Sequence, residues 1–151
     1  MTGSHTDDEP PEHRRHARYV RALDSVAEAE EADLLAAVLR DEDAAMAESA
    51  VNHHLERRAA EQLTGPRFPA WATMMATVVG DRAFLAGRLR EWTLLRAIAL
   101  DEPWTDEQLL SASDWFQRTA TILHVTSPAA LSLLAEHGRT RRVRNAASRR
   151  T

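Results

Sequence analysis

His53 and His54 are the residues whose type most invites a chemical reading. Neighbours on a helix project about 100° apart, so the two imidazoles cannot share one metal ion without distortion. A two-histidine site needs a spacing of three or four. A Glu-x-x-His arrangement fails as well, because Ala50 and Val51 occupy the positions three residues upstream. His54 falls beside Ala50 and Val51 on the apolar side of its helix and is expected to make an ordinary hydrogen bond there. His124 and His137 are expected to end helices, where a cationic ring suits the negative pole of the dipole. Glu28, Glu30, Glu31 and Asp33 crowd the first turns of another helix, where carboxylates suit the opposite pole. A solvated acidic face is the expectation, with a docking surface for a basic partner as the sharper alternative.

The six arginines Arg139, Arg141, Arg142, Arg144, Arg149 and Arg150 form the most functional-looking feature. The chain holds 19 basic and 23 acidic residues, every basic one being Arg, for a net charge of −4. Nine of the acids lie between Ala22 and Ala50 against Arg40 alone, whereas the stretch from Arg139 onward has no acid. Such asymmetry suits an electrostatic partner for the tail, or weak head-to-tail self-association. Six guanidinium groups are enough to contact several phosphates, yet no aromatic residue interleaves them to stack on bases. The plainer explanation is that a terminal helix needs a polar outer surface. Trp104, placed in a turn, and Trp115, flanking Phe116, are the candidate aromatic anchors for a partner.

The rest of the chain reads as helices. Gly and Pro number only 5 and 6, and no apolar run is long enough to span a bilayer. Residues 1–12 are acidic and polar, read as a flexible leader without a signal peptide, and a single all-helical domain is expected over 13–151, in the cytoplasm. Ser25 with Glu28 is expected to form a capping box opening a helix on Leu34, Leu35, Val38 and Leu39, and Asp41 to Asp43 caps the next. Thr64-Gly65-Pro66 stops that one, and a nearly all-apolar helix follows over about 69–79. Asp81 is expected to cap a long helix with Phe84, Leu85, Leu89 and Trp92 inward. Thr105 and Gln108 then open one helix running through Phe116 to Leu123, Ser127-Pro128 opens another that Gly138 closes, and a basic helix on Val143 ends the chain.

Two of the helix pairs resemble one another. Leu34 to Val51 and Leu133 to Ala147 each run from an apolar helix through a polar turn into a helix rich in Ala, and the second contains Val143-Arg144-Asn145-Ala146-Ala147. Both resemble HEAT repeats, with one residue fewer between Arg144 and the Ala pair than that family's usual run. The resemblance implies antiparallel helix pairs, about seven or eight helices in all, with units over about 27–63, 81–124 and 127–150 and an inserted helix over 69–79. A closed helical bundle is the alternative all-α architecture.

No Walker loop, dinucleotide fingerprint, HExxH or Ser-His-Asp constellation can be picked out, and the absence of Cys excludes thiolate chemistry. No catalytic, cofactor-binding or metal-binding residue is named, and the reading leans away from an enzyme. What the resemblance implies is an adaptor that binds a protein partner through helix faces. The alternative is a nucleic-acid-binding accessory protein using the Arg-rich C-terminal helix. A small helical enzyme with a pocket near Trp71 and His54 is the third reading.

Overall fold

A computed structural model describes residues 10–151, and these are all-α: among the described residues there are nine α-helices, about 75% of those residues are helical, and no strand occurs. The leader expected over 1–12 falls mostly outside the described residues. By internal contacts the fold divides into two compact units, residues 10–62 with Arg67–Leu89 and Leu63–Pro66 with Arg90–Thr151. No helix among the described residues is long and apolar enough to cross a membrane.

The first unit holds α1 (Pro11–Asp24), α2 (Glu31–Leu39), α3 (Ala44–Gln62), α4 (Phe68–Val79) and the first half of α5 (Ala83–Ala99). Pro11 opens α1, where its missing N–H costs nothing. Ser25 does not form the expected capping box. Its hydroxyl instead donates back to the carbonyls of Arg21 and Ala22, so it closes α1. A 3-10 turn at Glu28–Glu30 then leads into α2. Asp43 caps α3 as expected, accepting from the Met46 N–H at 3.1 Å, while Asp41 accepts from the Asp43 N–H at 2.9 Å. Asp41 also accepts from the Tyr19 hydroxyl at 2.7 Å and pairs with Arg15, tying α1 to the α2–α3 turn. That hydrogen bond from Tyr19, with the Asp43 N–H and Arg15, holds the Asp41 carboxyl below the usual carboxylate range, and raises Tyr19 in turn.

Both α1 and α2 pack on α3, and α4 packs on α2. Leu35, Leu55, Phe68, Met75 and Leu85 are fully buried between them. Gly80 ends α4 at φ +61°, a left-handed conformation that other residues adopt only with strain. The long helix opens at Ala83, two residues after Asp81 rather than on it. Phe84 is the misplaced member of its expected stripe: it is half exposed, and the Arg88 guanidinium lies 5.1 Å over its ring. The cation–π contact gives an apolar side chain a reason to stay at the surface. Arg88 also pairs with Glu56.

The second unit contains the rest of α5, α6 (Asp106–Leu110), α7 (Asp114–Ile122), α8 (Pro128–His137) and α9 (Arg141–Ser148). The helix expected to run from Thr105 to Leu123 is two helices, which brings the count to nine. Thr105 and Gln108 make the full capping box, but the helix they open ends at Leu110. Ser113 then starts α7 by accepting from the Phe116 N–H, and Glu91 grips Ser113 through its N–H and hydroxyl, both at 2.9 Å. Leu109, Phe116, Ala120, Leu134 and Val143 are buried. Leu123, expected inward, is only half-buried, beyond the end of α7.

Ser127 caps α8 with Pro128 at its first position, and Thr140 caps α9 by accepting from the Val143 N–H at 3.1 Å. Gly138 makes the tight turn between them. A Cβ there would lie 2.6 Å from the Leu134 carbonyl oxygen and 2.8 Å from the Val143 side chain. Only a residue without a side chain lets the two helices turn this closely.

Candidate functional site: an arginine-lined groove between two helices

Two places in the molecule gather polar side chains with chemical potential. The first is buried in the first unit. Glu31, at the start of α2, is 2% exposed, and His54, on α3, is 1% exposed. The acidic face expected to be solvated thus has one member turned inward. Its carboxylate accepts from His54 Nε2 at 2.6 Å and from the Trp71 indole N–H on α4 at 3.1 Å, with Arg58 Nε 3.6 Å away. On its other side, His54 Nδ1 lies 3.1 Å from Arg57 Nη2. A guanidinium has no lone pair to offer, so Nδ1 must accept and Nε2 carries the proton given to Glu31. Burial pushes the Glu31 carboxyl up, but the hydrogen bonds from His54 and Trp71 and the charge of Arg58 outweigh it and hold the carboxyl below its usual range.

Both nitrogens of His54 are therefore engaged within the protein. Arg57 extends the network outward, donating to the Leu23 carbonyl at 3.4 Å and facing Asp24 at 3.2 Å. The cluster cross-links α1, α2, α3 and α4; it does not present a base to a substrate. The expectation of an ordinary hydrogen bond at His54 understates this, because the partner is a buried carboxylate.

The second place is a groove of about 480 Å³ between α7 and α9, wholly within the second unit. On α7, the buried face is Phe116, Gln117, Ala120 and Thr121. The groove-facing row, Trp115, Arg118, Thr119 and Ile122, recurs at steps of three and four. Arg142, Val143 and Ala146 on α9, with Arg149 just past its end in helical conformation, supply the facing wall with the same periodicity. The Thr119 and Thr121 hydroxyls each donate 2.7 Å hydrogen bonds to carbonyls of their own helix. The polar groups left to meet a ligand are therefore the guanidiniums of Arg142 and Arg149 and that of Arg118, which also donates through Nε to the Asp114 carbonyl at 3.3 Å, over a floor of Trp115, Ile122 and Ala146 with Val143 buried beneath it. Ile122 is 72% exposed, the most exposed of the large apolar residues described.

The groove's walls are held by groups at their ends. Gln117, fully buried, donates through Nε2 to the Leu109 and Leu110 carbonyls at 3.0 and 3.3 Å, while its Oε1 accepts from the Arg139 N–H at 2.9 Å. One side chain thus joins α6, α7 and the turn before α9. Arg150 donates to the Thr121 carbonyl at 2.7 Å, satisfying the C-terminus of α7, where the orphan carbonyls favour a cation.

The Arg-rich tail consequently divides into two sets. Arg139 donates to the Ala112 carbonyl and faces Asp114, Arg144 donates to the Gly138 carbonyl at 2.7 Å, and Arg150 caps α7. These three serve the fold. Arg141, Arg142 and Arg149 are exposed, and their guanidiniums have no hydrogen bond or ion pair among the described residues. Of these, Arg142 and Arg149 line the groove. Trp115 lines it too, half-buried, with Trp92 packed edge-on at a ring separation of 5.5 Å. Trp104 is half-buried just before the Thr105 cap and is not part of the groove. Arg118 and Ile122 were not singled out by type or spacing, because nothing in the sequence around α7 says that α9 will lie against it. His137 does end α8, as expected, whereas His124 lies two residues beyond the end of α7.

Among the described residues, no group of three or more His, Asp or Glu side chains is placed to hold a metal ion. Compared with protein-family models, with curated proteins and with solved structures, the chain matches none.

Proposed function

We propose that this chain is a non-enzymatic helical interaction module, an adaptor whose α7–α9 groove receives a segment of a partner protein. The observation that carries the reading is the coincidence, in one groove, of an exposed Ile122, an indole and unpaired guanidiniums. Aromatic and Arg side chains around an apolar centre are what protein-binding hot spots are made of. The close α8–α9 pair, turning on Gly138 into the Val143-Arg144-Asn145-Ala146-Ala147 run, is consistent with a HEAT-like unit in the same reading. The nucleic-acid alternative is weakened because half of the tail's arginines are engaged by backbone carbonyls or by Asp114 of this chain.

A photo-crosslinking residue placed at Ile122, with a control at the exposed Glu107 on α6, tests the proposal in cells that express the protein. Discrete protein adducts at position 122, absent from the control and lost when Arg142 and Arg149 are both changed to Glu, are expected. Equal labelling at both positions would overturn it.

A further inference from the structure

Resting on that protein-binding reading, we infer that the groove's occupant is an acidic segment with one apolar anchor between two carboxylates. The charge in the groove is of one sign: Arg118, Arg142 and Arg149 line it, and no acidic residue does. Between the guanidiniums the surface is aliphatic and aromatic rather than polar, so an occupant bearing charge alone would leave the exposed Ile122 uncovered, and an apolar one would leave the cations unpaired. An occupant alternating the two matches both.

The spacing on α9 narrows the pattern. Arg142 and Arg149 are seven residues apart on one helical face, a rise of about 10 Å. Four steps along an extended chain cover about 13 Å, a span the long Arg side chains can meet, and put the first, middle and last side chains on one face. Two carboxylates four positions apart therefore face the two guanidiniums, with the apolar residue midway between them directed to the Trp115–Ile122–Ala146 floor and Arg118 on the opposite wall.

Single-stranded nucleic acid fits less well. Its bases need successive aromatic platforms, and the groove offers one indole among aliphatic side chains. A fatty acid brings a single charge to three cations distributed along the walls.

The test is an NMR titration of the isotopically labelled full chain at low salt, following the Trp115 indole and the amides of α7 and α9. The probes are a short Ser/Gly peptide with a central Glu-Ala-Leu-Ala-Glu, the same peptide with that Leu replaced by Ala, the same with both Glu replaced by Gln, an oligothymidylate of similar length, and decanoate. The first peptide is expected to move the groove resonances. The Ala and Gln versions should each bind at least about tenfold more weakly, the loss of one buried Leu or of two charge-assisted pairs being enough for that. Changing Arg142 and Arg149 together to Gln should reproduce the loss with an unaltered spectrum elsewhere, since both are exposed and unpaired.

Equal binding of the Glu and Gln peptides, or of the Leu and Ala peptides, would sink the inference. So would tighter binding of the oligothymidylate or of decanoate, or no shift with any probe. If the probes fail while position 122 still crosslinks specifically to a protein, the inference falls and the interaction reading stands. If the crosslinks fail too, both fall.

Discussion

Each unit of this protein brings cations to a tryptophan, and the two do opposite things with the arrangement. In the first, Arg57 and Arg58 close around Glu31, His54 and Trp71, and the central groups are withdrawn from water. In the second, Arg118, Arg142 and Arg149 surround Trp115 without a carboxylate among them. A buried charge must be paired and hydrogen-bonded by its own protein, whereas an exposed one can remain available to another molecule. The contrast separates a polar cluster that builds the fold from one that is free to bind. The deciding feature is whether the partners are already supplied.

Substitutions can press on that contrast from both sides. The largest effect is expected at Glu31→Ala, which strips His54 and the Trp71 indole of their common acceptor inside the core. A loss of about 3–5 kcal/mol, read from urea unfolding, is the expectation; a loss below about 1 kcal/mol would mean the cluster is not a structural tie. The same carboxylate has a pH signature. Because its pKa is lowered by folding, Glu31 contributes stability that is present above the ordinary carboxyl pKa of 4.5 and lost as pH falls through the lower folded value. Glu31→Gln should therefore flatten the decline in stability below about pH 4.5 relative to the natural chain, measured as midpoint against pH.

Next comes Gln117→Leu, which leaves the Arg139 N–H unpartnered and takes a donor from the Leu109 and Leu110 carbonyls. A cost of about 1–3 kcal/mol is expected, together with weaker occupancy of the groove that Gln117 frames. Calorimetry on the variant, paired with the peptide titration, separates those two consequences. Smallest in stability is Arg142→Gln with Arg149→Gln, expected to stay within about 0.5 kcal/mol in thermal unfolding. Were that pair to destabilise the protein as Glu31→Ala does, the two clusters would be alike and the contrast would fail.

Much of the helical punctuation could be read directly. Asp43, Thr105 with Gln108, Ser127 with Pro128, and Gly138 all act where their residue types suggest, because a cap is a contact among residues a few positions apart. Ser113 lies in the short stretch Ser111-Ala112-Ser113-Asp114, where a helix break is not forced locally, and the group that holds it, Glu91, lies 22 residues upstream. Ser25 looked like a cap facing forward and instead bonds backward, a choice between local alternatives that its own sequence leaves open. Phe84 matched a helical stripe whose phase does not specify how wide the buried face is.

The candidate site was legible in its materials and not in its assembly. An Arg-rich last helix and a flanking Trp115 stand out in the chain, but along the tail alone no aromatic residue stands beside the arginines. Folding sets α9 against α7 and so places an indole beside Arg142 and Arg149, some thirty positions later in the chain. The same folding withdraws Arg139, Arg144 and Arg150 from any partner.

Order in the chain settles the all-α character, most helix ends and the polarity of the termini, because these depend on periodicity and on hydrogen bonds between near neighbours. Tertiary packing alone decides that Glu31 goes inside while Arg142 stays out, and that α7 and α9 enclose a groove. A side chain's solvation and its partners belong to the three-dimensional surroundings, and residues far apart in sequence create them.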